Sequence, residues 1–162
     1  MEGAPSTYRI DPMQLTDVDE VLLVEVASFP SPWSRLAFVS ELLENERAHY
    51  FVARLGGAVV GYAGAWLVFD EAHITNVAVH PEHRGRGIAR MLLEHLFSYC
   101  LSREVTRATL EVRRSNSVAQ HLYTSLEFRI AGLRKAYYGD NNEDAVVMWK
   151  ELGEAPARRG AR

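Results

Sequence analysis

Two stretches of the chain carry residues whose types and spacing could do chemistry. One is Leu110-Glu111-Val112-Arg113-Arg114-Ser115-Asn116-Ser117-Val118-Ala119-Gln120-His121-Leu122-Tyr123. Glu111 sits between apolar neighbours on a strand-like run, Asn116 stands just before a helix, and Tyr123 falls near the middle of that helix. A carboxylate and a phenol across a cleft supply a proton acceptor and a proton donor, as acyl transfer to an amine requires. An ammonium group cannot attack a thioester, so a proton must leave first, and Glu111 could take it directly or through water. A free glutamate, with a pKa of about 4.3, is a weak base, so desolvation or a water relay is needed. The departing thiolate then needs a proton, which the Tyr123 hydroxyl could donate. Each residue also has a plainer use, Glu111 as a solvent-facing strand residue and Tyr123 as packing between helix and sheet.

The other stretch is Val77-Ala-Val-His-Pro-Glu-His-Arg-Gly-Arg-Gly-Ile-Ala-Arg90. A β-branched strand ends at Val79, Pro81 turns the chain, and a small-residue loop opens onto a helix. Backbone N–H groups of Gly85, Arg86, Gly87, Ile88, Ala89 and Arg90 would converge at the helix N-terminus, where about half a positive charge resides. Arg84, Arg86 and Arg90 add mobile positive charge, and the glycines let the backbone approach a phosphate. The loop is an anion cradle or else a solvated connection. It lacks the Gly-Lys-Ser/Thr of a Walker loop, and Arg90 stands where the dinucleotide pattern needs its third glycine.

Arg84-x-x-Gly87-x-Ala89 resembles the Arg/Gln-x-x-Gly-x-Gly/Ala motif of the GNAT N-acetyltransferases. The run Leu-Glu-Val-Arg-x-Ser-Asn-x-x-Ala-x-x-Leu-Tyr at 110–123 resembles the ribosomal-protein-alanine N-acetyltransferases within that family. Pro32-Trp33-Ser34, Asp70-Glu71-Ala72, Tyr137-Tyr138 and Glu143-Asp144-Ala145 extend the similarity from about Tyr8 to Leu152. The resemblance implies that the loop binds the pyrophosphate of acetyl-CoA and that Val77, Ala78 and Val79 pair by backbone with its pantetheine arm. It further implies that Asn116 binds the coenzyme, that Glu111 accepts a proton and that Tyr123 donates one. The expected reaction is direct acetyl transfer to the N-terminal α-amine of a protein, a ribosomal protein being the expected partner. No activated nucleophile for an acyl-enzyme is visible. A lysine, a polyamine, a small molecule or a non-catalytic coenzyme-binding role remain alternatives. An α-amine of pKa about 8 loses its proton more easily than a lysine of about 10.4, which decides nothing by itself.

By the same resemblance Tyr137 and Tyr138 lie beside the incoming peptide, and adjacent residues on a strand face opposite sides, so at most one would meet it. Trp33 is either a wall of the substrate site or a loop anchor. One departure is Leu126-Glu127-Phe128, where the family usually has Leu-Gly-Phe. A left-handed helix end there would cost glutamate on the order of 1 kcal/mol.

These residues must be positioned by alternating elements. Tyr8–Asp11 reads as a strand, and Asp17–Ser28 as a helix with Val18, Val21, Leu22 and Val26 at helical spacing. Ser34 is a suitable N-cap for a second helix carrying Leu36, Phe38, Val39, Leu42 and Leu43. His49–Leu55 and Ala58–Phe69 are strands joined by a Gly56-Gly57 hairpin, and Ile74–Val79 is a further strand. Gly87–Ser102 is a helix with the stripe Leu92, Leu93, Leu96, Phe97 and Cys100. Thr106–Val112 reads as a strand, Ser117–Leu126 as a helix, and Phe128–Tyr138 and Ala145–Lys150 as strands. The pattern is α/β (α+β), a single mixed, mostly antiparallel sheet flanked by helices, and the resemblance implies the GNAT acyltransferase fold.

Composition agrees. The 162 residues carry 18 Lys+Arg and 21 Asp+Glu, a net charge of −3, with 48% hydrophobic residues. That suits one globular domain over 8–152, with a disordered segment 1–7 and a flexible basic tail 153–162. The longest mostly apolar run, Leu55–Phe69, holds four glycines and falls short of the roughly 20 residues a bilayer needs. No secretion signal opens the chain, and a single cysteine, Cys100, suits a reducing compartment, so a cytoplasmic protein is expected. Cys100 reads as a core residue. His73, on the strand entering the cleft, could touch substrate but reads rather as a surface histidine, and His80 with His83 lacks the spacing of a zinc site, so no metal is expected. Nucleic-acid binding would rest on Arg84, Arg86, Arg90, Arg113 and Arg114 alone, and is not expected.

Overall fold

A computed structural model describes residues 7–153, so the expected N-terminal segment and basic tail lie outside the described residues except for Thr7 and Gly153. The elements are β1 (Tyr8–Pro12), α1 (Val18–Ser28), α2 (Arg35–Leu43), β2 (Ala48–Leu55), β3 (Ala58–Val68), β4 (Glu71–Val79), α3 (Ile88–Ser102), β5 (Arg107–Arg113), α4 (Ser117–Ser125), β6 (Arg129–Arg134) and β7 (Ala145–Glu151). Their order is the expected one. The seven strands are hydrogen-bonded as β1-β2-β3-β4-β5-β7-β6. β1 pairs antiparallel with β2, as β7 does with β5 and β6, while β4 and β5 run parallel, Glu71–His73 opposite Arg107–Thr109. By internal contacts the chain divides into two compact units, 1–65 with 75–96 and 66–74 with 97–162.

The core of the first unit is built from Val18, Val21 and Val24 of α1, Phe38 of α2, Tyr50 and Val52 of β2, Tyr62 of β3 and Ala78 of β4. The buried face of α1 differs from the expected stripe. Val26 is exposed, and Val24 and Glu25 are buried in its place. With valine or leucine at 18, 21–24 and 26, and so on every side, the helix gives its facing side little signal, and the burial of Glu25 is made possible by partners from outside the helix. Its carboxylate accepts the Trp33 N–H at 3.0 Å and the Tyr62 hydroxyl, which in turn accepts from Asn76 Nδ2 at 3.3 Å. Ser34 caps α2 as expected, its Oγ accepting the Ala37 N–H at 3.1 Å. Gly64 has a packing reason: a Cβ there would stand 2.1 Å from the Tyr50 ring.

In the second unit, β5 alternates strictly between buried Ala108, Leu110 and Val112 and the half-buried Arg107, Thr109, Glu111 and Arg113. The period-2 pleat therefore sends every apolar residue of β5 to one face and every polar one to the other. Ala72, Ile74, Val146 and Met148 are buried likewise, as are Phe97, Cys100, Leu126 and Phe128. Burial pushes the Cys100 thiol up to about 12, which keeps it an inert core residue. The expected strand Phe128–Tyr138 is shorter than read: β6 stops at Arg134, and Tyr137 and Tyr138 lie in the loop before β7. Ala136 takes a positive φ of 51°, which ends the extended run.

Candidate active site

The anion loop lies in the first unit. β4 carries Val77, Ala78 and Val79, a single 3-10 turn Pro81–His83 follows, and α3 begins at Ile88. Gly85 and Gly87 have φ of 77° and 78°, the left-handed region in which a side chain is strained. Nothing stands within 4 Å of a Cβ built on either, so the backbone there faces open space. The first helical bond of the segment is Met91 N–H to the Gly87 carbonyl at 3.0 Å, so the amides of Ile88 and Ala89 precede the intrahelical ladder. Arg84 is not the mobile charge the sequence suggested. Its Nε donates to the Val79 carbonyl at 2.9 Å and its Nη2 to Ser28 Oγ at 3.1 Å, which ties the loop to the end of α1. Arg86 donates to the Tyr8 hydroxyl at 3.2 Å, and Arg90 pairs with Glu94 at 3.5 Å. Trp33 is seated on the core of this unit, its ring 5.3 Å from that of Phe38.

The second unit holds the other candidates. The side chain of Glu111 is only 9% exposed. His73 of β4 lies 2.6 Å from its Oε2, and Arg134 Nη2 lies 3.7 Å from its Oε1. The His73 hydrogen bond holds the carboxyl below its ordinary value, outweighing burial, with Arg134 adding to the effect. Glu111 is thus a carboxylate at neutral pH and a weaker base than a free glutamate. Sequence alone favours a surface histidine at position 73 over one that touches substrate, and gives it no tie to Glu111. Its signal lay in the registry Glu71↔Arg107, His73↔Thr109, which sets His73 diagonal to Glu111 on the polar face and needs a strand pairing to be seen.

Tyr123 packs on Phe128, ring centroids 5.7 Å apart. Burial, with the neighbouring Tyr138 hydroxyl, pushes its phenol up to about 12. No hydrogen bond among the described residues joins Glu111 and Tyr123, but Tyr138 is electrostatically coupled to both. Asn116 caps α4, its Oδ1 accepting the Ala119 N–H at 3.1 Å.

Arg113 organises the loop that carries the tyrosines. Its guanidinium reaches Asp140 Oδ2 at 2.8 Å, Asn141 Oδ1 at 3.2 Å and Glu143 Oε1 at 3.3 Å, and it lies 4.0 Å from the centroid of the Tyr138 ring. Glu143 Oε2 also accepts the Ser115 N–H at 2.7 Å. Tyr138 is therefore half-buried over the arginine, and Tyr137, edge-on to it at 5.0 Å, is exposed with Arg134 5.8 Å from its ring. Among the described residues no group of three or more His, Cys, Asp or Glu could hold a metal ion, and no helix is long and apolar enough to cross a membrane.

The sequence model of the Acetyltransferase (GNAT) family matches residues 18–128, and the chain belongs to that family. A relative from Bacillus subtilis (strain 168), provisionally named a [ribosomal protein bS18]-alanine N-acetyltransferase, is 44% identical over 142 residues, 88% of this chain and 94% of that one. The [ribosomal protein bS18]-alanine N-acetyltransferase of Escherichia coli (strain K12) is 37% identical over 141 residues, 86% and 94% of the two chains. The crystal structure of the ribosomal-protein-S18-alanine N-acetyltransferase from Escherichia coli superimposes with a TM-score of 0.84 at 34% identity, covering 94% of this chain and 98% of that one.

Proposed function

We propose that this protein transfers the acetyl group of acetyl-CoA to the N-terminal α-amine of a protein, a ribosomal protein whose first residue is alanine being the favoured substrate, in the cytosol. The reading is carried by the buried, ionised Glu111 on β5 of a chain belonging to the GNAT family, and its substrate rests on the names of the bS18-alanine relatives.

In this reading the amides of Gly85 to Arg90 receive the coenzyme's pyrophosphate beside Arg86 and Arg90, and the backbone of Val77, Ala78 and Val79 pairs with its pantetheine arm. Arg84 shapes the loop by holding the Val79 carbonyl and Ser28. Asn116, whose Oδ1 is committed to the helix cap, offers its amide N–H groups to the coenzyme. The negative charge of Glu111 draws a proton from the incoming ammonium. The amine nitrogen bonds to the thioester carbon as the carbon–sulfur bond breaks. The thiolate takes the Tyr123 proton, and the second amine proton replaces it, so one proton is released to water overall. A phenol raised to about 12 stays protonated throughout the working range, as a donor must. Tyr137 and Tyr138 border the peptide, with the exposed Tyr137 the one that meets it, and Trp33 walls the entrance.

The test combines acetyl-CoA with three peptides: one with a free N-terminal alanine, one with that terminus blocked, and one with a blocked terminus and an internal lysine. Acetylation of the first alone is expected. Acetylation of the lysine peptide at an equal rate would overturn the α-amine assignment, and saturable coenzyme binding with no transfer to any amine would overturn catalysis.

A further inference from the structure

Resting on that reading, we propose that the proton of the incoming ammonium lands on His73, with Glu111 as the group that orients the imidazole and balances its charge. The geometry decides which nitrogen does this. Glu111 is an ionised carboxylate and can only accept hydrogen bonds, so the 2.6 Å contact with His73 Nε2 requires a proton on Nε2. In the neutral ring the lone pair then sits on Nδ1, and among the described residues no partner is bonded to that atom. The His73 side chain is 35% exposed against 9% for Glu111, so an arriving amine can reach the imidazole far more readily than the carboxylate. Trp66 meets the ring edge-to-face, centroids 6.2 Å apart, and limits its rotation.

The chemistry points the same way. A carboxylate depressed by its own partners is poorly matched to an ammonium, whereas an imidazole's proton affinity lies nearer to that of an α-amine. The step balances simply. One N–H bond of the ammonium breaks, one forms at Nδ1, and the imidazolium so made faces the Glu111 charge before passing its proton to water. Other charged or titratable groups around the pair are Arg134 beside Glu111, Tyr137 and Tyr138 coupled to it, and the Arg107–Glu71 pair two residues along the same parallel registry.

The experiment uses the full chain. Nitrogen-15 histidine spectra report the tautomer with no substrate present: Nε2–H with a bare Nδ1 is expected above the ring's titration. A proton resident on Nδ1, or an imidazolium persisting to pH 9, overturns the proposal whether or not any peptide turns over. Kinetics with acetyl-CoA and the free-alanine peptide provide the second arm. His73→Gln should lower kcat by about a hundredfold with acetyl-CoA affinity by calorimetry unchanged. It should also change the pH profile of log kcat/KM. The wild type, which uses ammonium with a neutral ring, should rise with a slope of one and fall again as free ammonium is lost. His73→Gln, which needs the free amine, should rise without that fall. Glu111→Gln should keep the fall at high pH but move the acid-side break to lower pH, because the imidazolium loses its counter-charge. The double variant should be no slower than His73→Gln alone. A His73→Gln enzyme with wild-type rate and pH profile would assign the base to Glu111 and reject the proposal, leaving the acetyltransferase reading intact.

Discussion

At the scale of single residues, Glu111 and Tyr123 are displaced from their solution values in opposite directions, each for a local reason. Glu111 is lowered by the His73 hydrogen bond despite burial, and Tyr123 is raised by burial and Tyr138. The pair is therefore sorted into a permanent charge and a permanent donor. Glu111→Gln removes the charge with almost no change in shape, and should cut kcat by about a hundredfold or more while leaving acetyl-CoA affinity within about twofold. A calorimetric titration beside steady-state rates checks both. Tyr123→Phe removes only the hydroxyl, and a slowed release of free thiol, read with a thiol reagent, is expected. An unchanged rate would leave Tyr123 as packing against Phe128.

Elements decide where those residues stand. The C-terminus of α4 closes as a Schellman motif: Phe128 N–H reaches the Tyr123 carbonyl at 3.0 Å and Glu127 N–H the Thr124 carbonyl at 3.0 Å. The residue in the left-handed position is Glu127, at φ 71°. The strain expected from reading Leu-Glu-Phe is thus present, and the Tyr123–Phe128 contact that accompanies the motif offsets it. Glu127→Gly should stabilise the fold by about 1 kcal/mol in urea denaturation, with kcat unchanged. The β6–β7 loop depends on Arg113 more than on its own residues. Arg113→Lys keeps a charge but loses the fork that holds Asp140, Asn141 and Glu143 together. It should raise KM for the peptide several-fold and leave KM for acetyl-CoA near its wild-type value. Equal effects on both would mean that the clamp serves the fold alone.

Across the whole molecule, stability against acid follows from charges buried in pairs. In the first unit Arg54 grips Asp17 through two bonds of 2.8 Å and Asp11 through a third of 2.8 Å. Burial acts to raise the Asp17 carboxyl, but the hydrogen bonds from Arg54 and the Gln14 N–H prevail and leave it below 3.8. A carboxyl lowered in the folded state binds its proton less readily there than in the unfolded chain. Its contribution is complete above about pH 4 and disappears as the pH falls through the folded value. Asp17→Asn should cost on the order of 3 kcal/mol at pH 7, and the difference from wild type should shrink toward pH 2, as urea midpoints at both pH values would show.

Much of this protein was written in local patterns. The element order, the Ser34 cap, the α3 stripe, the glycines at positive φ and the left-handed Glu127 all depend on residues within a few positions of one another, and periods of 3.6 and 2 expose such relations directly. The membership of the GNAT family was equally legible, because its motifs are short and contiguous. What only the tertiary structure decided are the partnerships between distant residues. His73 meets Glu111 across 38 positions and Glu25 meets Tyr62 across 37, and Arg113 collects a loop that begins more than twenty residues later. Strand register and the choice of a buried helix face settle such meetings. They are properties of the packed chain, minimising unpaired polar groups over all its elements at once, so no window of sequence contains them.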